Sequence, residues 1–136
     1  MIGLAANIDI APGTIYENIS LGRNISTQEI NNIIDELGIT KEFSRFPDGT
    51  DTFINESGSP LSSNQLKRLM IARATVGKPN LILIDGLLDD LNETELKAAI
   101  NMLQKHQQEC MLIVTTRFES IAKHFDNTLD INTTER

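Results

Sequence analysis

Four large aliphatic residues in a row, Leu81, Ile82, Leu83 and Ile84, run directly into Asp85 and Gly86. A run this short, preceded by Gly77 and Pro79, reads as a β-strand buried on both faces. Such strands belong to parallel sheets covered by helices. Asp85 then falls at the carboxyl edge of the strand, where open α/β sheets bind ligands. A carboxylate there can hold Mg2+ through water, because Mg2+ favours hard oxygen ligands and keeps much of its hydration shell. The plainer reading is a buried strand that ends in a polar residue, and the stretch by itself requires no more.

The neighbouring segments extend the pattern. Leu66, Leu69, Met70 and Ala74 recur at helical spacing behind Ser62, Ser63 and Asn64, any of which can cap the helix and leave its first-turn amides free to bind an anion. Downstream, Asn92 and Glu95 form a cap pair ahead of an amphipathic helix carrying Leu96, Ala99, Ile100 and Leu103. Residues 111–114 read as a second buried strand, 118–124 as a short helix, 128–131 as a last strand and 132–136 as a frayed tail. Helix and strand alternating in this way imply a parallel sheet with right-handed crossovers.

The first half differs. Residues 2–6 can form a strand and 7–13 a loop, after which Thr14 and Glu17 stand at capping-box spacing. Ser26 and Glu29 form a second such box before Ile30, Ile33, Ile34 and Leu37, a helix closed by Gly38. Phe43 and Phe46 offer that helix a surface, Pro47-Asp48-Gly49-Thr50 is a turn, and 51–60 is a connecting loop. About residues 14–60 thus read as a helical subdomain and linker, and 61–136 as a capped helix with an α/β core, within one unit.

Composition narrows the function. A net charge of -7 argues against nucleic acid as a partner, because phosphate binding needs a basic surface. The single cysteine, Cys110, excludes an internal disulfide and a cysteine-based zinc cluster, and reads as a small core residue. His106 and His124 lack metal-ligand spacing and read as surface or helix-end residues. No apolar stretch approaches the roughly 20 residues that cross a bilayer. The opening residues lack the basic start of a signal peptide, so a cytoplasmic location follows.

Taken in order, these pieces resemble the second half of an ABC transporter nucleotide-binding domain of the exporter type. Gly13-Thr14-Ile15-Tyr16-Glu17-Asn18-Ile19 is similar to the segment after the family's Q-loop. Pro47-Asp48-Gly49-Thr50-Asp51-Thr52 and Glu56-Ser57-Gly58 resemble the stretch that leads to the signature. Leu61-Ser62-Ser63-Asn64-Gln65 resembles the Leu-Ser-Gly-Gly-Gln signature itself, with Ile71-Ala72-Arg73-Ala74 following. The strand ending at Asp85 resembles Walker B, Leu91-Asn92 the D-loop, and Ile113-Val114-Thr115-Thr116-Arg117 the H-loop.

The resemblance implies a partial P-loop NTPase-like parallel sheet with flanking helices and a helical subdomain. It also implies ATP and Mg2+ in the full-length domain, a transmembrane domain and a second nucleotide-binding domain as partners, and a place at the cytoplasmic face of the membrane. Within it, Ser62, Ser63, Asn64 and Gln65 would contact the terminal phosphate of ATP held by the partner domain. Asp85 would reach Mg2+ through water, Asn7 would stand nearest the Q-loop glutamine, and Glu56 would face the coupling helices of the membrane part. Arg73 would either form a buried ion pair that positions the signature helix or be solvated.

Several positions depart from the family pattern. Gly86 stands where a glutamate polarises the attacking water, and it has no group to accept a proton. Thr116 replaces the H-loop histidine, with a shorter reach and no cationic form. Ser63 and Asn64 replace two glycines and crowd the approach of phosphate, while Asn92 removes the D-loop charge. No Gly-x-x-x-x-Gly-Lys-Ser/Thr occurs. The chain therefore reads as an excised part or natural remnant of a longer protein, not catalytic alone. An active ATPase half, and a scaffold that kept the fold without nucleotide chemistry, remain the alternatives.

Overall fold

The computed structural model describes residues 1–131. Its main sheet has three strands in the order β1 (Ile2–Ala5), β4 (Leu81–Asp85), β5 (Met111–Thr115), with both pairings parallel. Leu81 lies between Ile2 and Met111, and Asp85 is opposite Thr115. A second, two-stranded sheet pairs β2 (Gly13–Thr14) antiparallel with β3 (Phe53–Ile54). The helices are α1 (Ile15–Ser20), α2 (Thr27–Glu36), α3 (Thr40–Phe43), α4 (Ser63–Thr75), α5 (Glu93–His106) and α6 (Glu119–Ala122). Among the described residues no helix is long and apolar enough to cross a membrane.

Local chemistry sets the helix starts. Thr14, Ser62 and Asn92 each make a complete capping box, with Glu17, Gln65 and Glu95 respectively. The box expected at Ser26 is half made. Ser26 accepts from the Glu29 amide, but the Glu29 carboxylate instead accepts from the Gly77 amide at 2.7 Å, which fixes α2 to the turn after α4.

One continuous core joins the two halves. It includes Ile30, Ile33, Ile34 and Phe43 from the helical part and Leu69, Ile71, Ile82, Ile84, Ile100 and Leu103 from the α/β part. α4 is the central helix and packs on β1, β4, α1 and α2. Gly3 allows its closest approach, since a Cβ there would lie 1.7 Å from the Ala74 carbonyl oxygen. No side chain larger than hydrogen fits between strand and helix at that point.

Several expectations are corrected. The strand at 81–85 is fully buried on one face only: Ile82 and Ile84 are inside, whereas Leu81 and Leu83 are half-buried. Residues 111–115 form an edge strand that alternates between exposed and half-buried positions. Ile2, Leu4, Met111 and Ile113 are exposed on the strands beside Leu81 and Leu83, so one sheet face is apolar and open. The 51–60 loop contains β3, a pairing two residues long that leaves no periodic signature. Residues 128–131 form no strand, and Leu129 and Ile131 are exposed. The tail at 132–136 lies outside the described residues.

The unequal faces predict unequal costs. Ile84→Ala, within the closed face, is expected to lower unfolding free energy by about 2–5 kcal/mol. Ile113→Ala should cost well under half as much in the same urea titration, because its side chain already meets solvent. Equal losses would mean that the outer face is covered.

Candidate functional site

Parallel pairing brings the strand ends together on one edge. Asp85 closes β4, Thr115 closes β5, and Asn7 lies two residues beyond the end of β1. Gly86 and Thr116 continue from that edge, and Asp85, Gly86, Asp89, Thr115, Thr116 and Arg117 line an open cleft of about 1090 Å³. The sequence expectation for Asp85 thus holds in its placement: the carboxylate is exposed at the carboxyl end of a parallel strand.

Hydrogen bonds define what each group is free to do. The Thr115 hydroxyl donates to Asp85 Oδ1. Thr116 donates to Asp89 Oδ1, and the Arg117 amide donates to Asp89 Oδ2 at 3.1 Å. Arg117 Nε approaches the same oxygen at 3.4 Å. Thr116 is therefore held by a neighbouring carboxylate and does not reach into the cleft as a free donor. Asp89, whose side chain is 4% exposed, organises this turn and carries no sequence signal beyond its place in an acidic pair with Asp90.

Gly86 adopts φ +76°, a conformation that disfavours any residue with a Cβ, although no atom lies within 4 Å of where that Cβ would be. The turn after β4 has room for a side chain but a backbone shape suited to glycine. Among the described residues no group of three or more His, Cys, Asp or Glu is placed to hold a metal ion. Asp85 fits a role as an acceptor for the water shell of a hydrated cation, since it is exposed and Thr115 engages only its Oδ1.

Residues 62–65 lie elsewhere, at the start of α4, and are not among the residues lining the cleft. Ser62 is the N-cap: its Oγ accepts from the Gln65 amide at 3.2 Å, and its own amide donates to Gln65 Oε1 at 2.9 Å. Gln65 Nε2 donates to Glu42 at 3.1 Å, and Asn64 Nδ2 donates to Glu95 at 3.2 Å. Three of the four side chains expected to face a ligand thus hydrogen-bond within the protein, Ser62 only as an acceptor. Ser62 and Ser63 are exposed. Glu56 is exposed in a tight turn in which Asn55 Oδ1 accepts from the Ser57 and Ser59 amides, and Asn7 is exposed as well.

The buried ion pair considered for Arg73 belongs to Arg68. Arg73 donates to the Asn18 carbonyl at 2.7 Å, the Asp9 carbonyl at 2.8 Å and Asn18 Oδ1 at 3.2 Å, stapling α1 and the loop after β1 to α4. Burial pushes its guanidinium down from the ordinary value, with the Asp9 charge opposing. Arg68, 2% exposed, makes a two-pronged contact with Glu42 at 2.7 and 2.9 Å and pairs with Glu95 at 3.2 Å. The hydrogen bond from Arg68 holds the Glu42 carboxyl below its usual range, helped by Gln65 and opposed by burial.

The fold is that of an α/β domain with a ligand-accessible carboxyl edge, and comparison with known proteins gives its relationship. No family model matches the chain. An export ATP-binding/permease protein of Rickettsia bellii is 35% identical over 126 residues, covering 90% of this chain and 21% of the relative. An ABC-type transporter of Aspergillus fumigatus, fsqE, is 32% identical over 109 residues, 76% of this chain and 8% of the relative. The solved structure of a bacterial Atm1-family ABC exporter with ATP bound matches with a TM-score of 0.81 over 88% of this chain and 22% of that one, at 24% identity. The chain belongs to the ATP-binding domain family of the ABC exporters. It spans about a fifth of the Rickettsia protein's length.

Depression of the Glu42 pKa carries a pH signature. A carboxyl with a lowered folded-state pKa contributes stability that is present above its unfolded pKa and is lost as pH falls through the folded value. The stability difference between the wild-type chain and Glu42→Gln should therefore shrink on acidification. Urea titrations from about pH 7 to about pH 3 measure this, and a difference that stays constant would refute the assignment.

Proposed function

We propose that this chain is the signature-bearing part of a nucleotide-binding domain of an ABC exporter, and that it contributes to ATP binding through a partner without hydrolysing ATP by itself. The observation that carries the proposal is the placement of Asp85 and Gly86 at the carboxyl edge of a parallel sheet whose sequence relatives are exporter ATP-binding proteins. Magnesium-bound ATP supplies the phosphoanhydride bond and the neutralisation of its charge. Asp85 would hold the hydrated cation. The Ser62 hydroxyl, Ser63 and the first-turn amides of α4 would meet the terminal phosphate of a nucleotide bound by the second nucleotide-binding domain, whether a copy or a different chain. Asn7 and Glu56 would face the transmembrane domain, which sets the place of action at the cytoplasmic side of the membrane. The open face of Ile2, Leu4, Met111 and Ile113 would be covered by further polypeptide of the same domain.

The residues at the two chemical positions support the non-catalytic part of this reading. Gly86 offers no acceptor to a water molecule, and Thr116 is engaged by Asp89. The same two features, with the internal commitment of Asn64 and Gln65, favour as a second reading a scaffold that retains the fold without nucleotide chemistry.

Calorimetric titration with Mg-ATP and a phosphate-release assay separate these readings from an active ATPase half. The isolated chain should show neither micromolar affinity nor steady turnover, and either result would overturn the assignment of a non-catalytic part. Gly86→Glu should still show no turnover. It should also lower stability by about 1–2 kcal/mol through its left-handed backbone, as read by urea denaturation. Full stability in that variant would show the turn to be unstrained. In an assembled transporter, Ser62→Ala should weaken nucleotide-driven closure, and unchanged closure would favour the scaffold.

A further inference from the structure

Arg68 and Glu95 form a hub that neither the family relationship nor the carboxyl-edge site accounts for. Glu95 occupies the third residue of α5, where an ordinary capping box would satisfy only its own helix. Here its Oε1 accepts from the Asn92 amide at 2.9 Å and from Asn64 Nδ2 at 3.2 Å. Its Oε2 pairs with Arg68 at 3.2 Å. One carboxylate thus binds the cap of α5, the first turn of α4 and a buried guanidinium. On its other side Arg68 grips Glu42 in α3, and its Nε donates to the Asn64 carbonyl at 3.3 Å.

We propose that Arg68, acting through Glu95, is a positioning residue that locks the 62–65 segment to the 91–92 turn, so that both face a partner as one rigid surface. The proposal rests on the reading above for its functional consequence, because that reading turns residues 62–65 toward a partner's nucleotide and Leu91-Asn92 is the segment that resembles the D-loop. Its physical basis is the cost of isolating a buried charge. Arg68 is 2% exposed, and displacing either carboxylate would leave part of its buried charge without a partner. Glu95 cannot follow a displaced 91–92 turn without abandoning Arg68 and Asn64. Lysine cannot substitute, since a single ammonium group does not span the forked contact to Glu42 and the contact to Glu95 together. A second link between the same elements, Lys67 to Asp90 at 2.8 Å, is a surface bridge with Asp90 58% exposed, and it contributes little.

Amide hydrogen exchange on this chain tests the lock. Arg68 touches neither the Asn92 amide nor Ser62. Even so, Arg68→Lys should speed exchange at the Asn92 amide and at the Gln65 amide together, each by about tenfold, while circular dichroism is retained. Lys67→Ala should leave both unchanged. If Arg68→Lys fails to fold, Glu95→Gln serves in its place: it keeps an acceptor for the Asn92 amide, loses the charge that Arg68 requires, and should loosen the same two amides. Faster exchange confined to α4, or equal acceleration in Lys67→Ala, would overturn the lock. A last arm uses the assembled transporter, where Arg68→Lys should lower kcat at the partner's nucleotide with KM little changed. Coupled exchange with unchanged kcat would uphold the lock and sink the ATP reading, whereas uncoupled exchange would sink the lock alone.

Discussion

A guanidinium withdrawn from water needs carboxylates and hydrogen-bond acceptors arranged around it before the chain can close. Arg68 has both, and meeting that need determines how three helices meet. Glu42 comes from α3, Glu95 from α5 and the accepting Asn64 carbonyl from the first turn of α4, where the Asn64 and Gln65 side chains also donate to the two carboxylates. The helical part and the α/β part share this charged centre as well as the aliphatic core that runs between them. Aliphatic contact alone tolerates small slips, whereas a two-pronged ion pair admits a narrow range of distances and angles. The ionic centre therefore specifies the orientation of α4 more sharply than its size suggests.

The carboxyl edge follows a different logic. There the polar groups satisfy one another: Thr115 with Asp85, and Thr116 and Arg117 with Asp89. Gly86 shapes the backbone and supplies no functional group. The edge is organised as a closed set of local bonds around a glycine turn, with the exposed Asp85 carboxylate as its outward-facing acid. Strand geometry and side-chain chemistry are separate matters in this region, and the parallel edge is formed whatever groups it carries.

Much of this was legible in the residues. The apolar run into Asp85, and the cap pairs at Ser62 and Asn92, are local signals, and each appears where expected. What escaped the sequence depends on distant partners. Burial of residues 81–84 and 111–114 on both faces was inferred from apolarity, but the number of covered faces is set by what packs on them. The 128–131 segment has an alternating pattern, yet none of it joins a strand. The sequence expectation of a buried ion pair falls on Arg73, although a signal points to Arg68. Leu66, Leu69, Met70, Ile71, Ala72 and Ala74 surround α4 with apolar residues on all sides. A helix apolar all round is buried all round, so a charged residue within it must have a partner.

The contact of Gly3 with Ala74 has a mechanical consequence. Where a helix usually lies on a strand, an intervening layer of side chains can shear and lets one element glide over the other. At Gly3 that layer is missing, and main chain rests against main chain. Lateral slippage of α4 is blocked there, which leaves rotation about the contact as the easier displacement. At the opposite end of α4 the Asn64 and Gln65 side chains tether the helix to Glu95 and Glu42, so α4 is seated on bare backbone near one end and held by hydrogen bonds at the other.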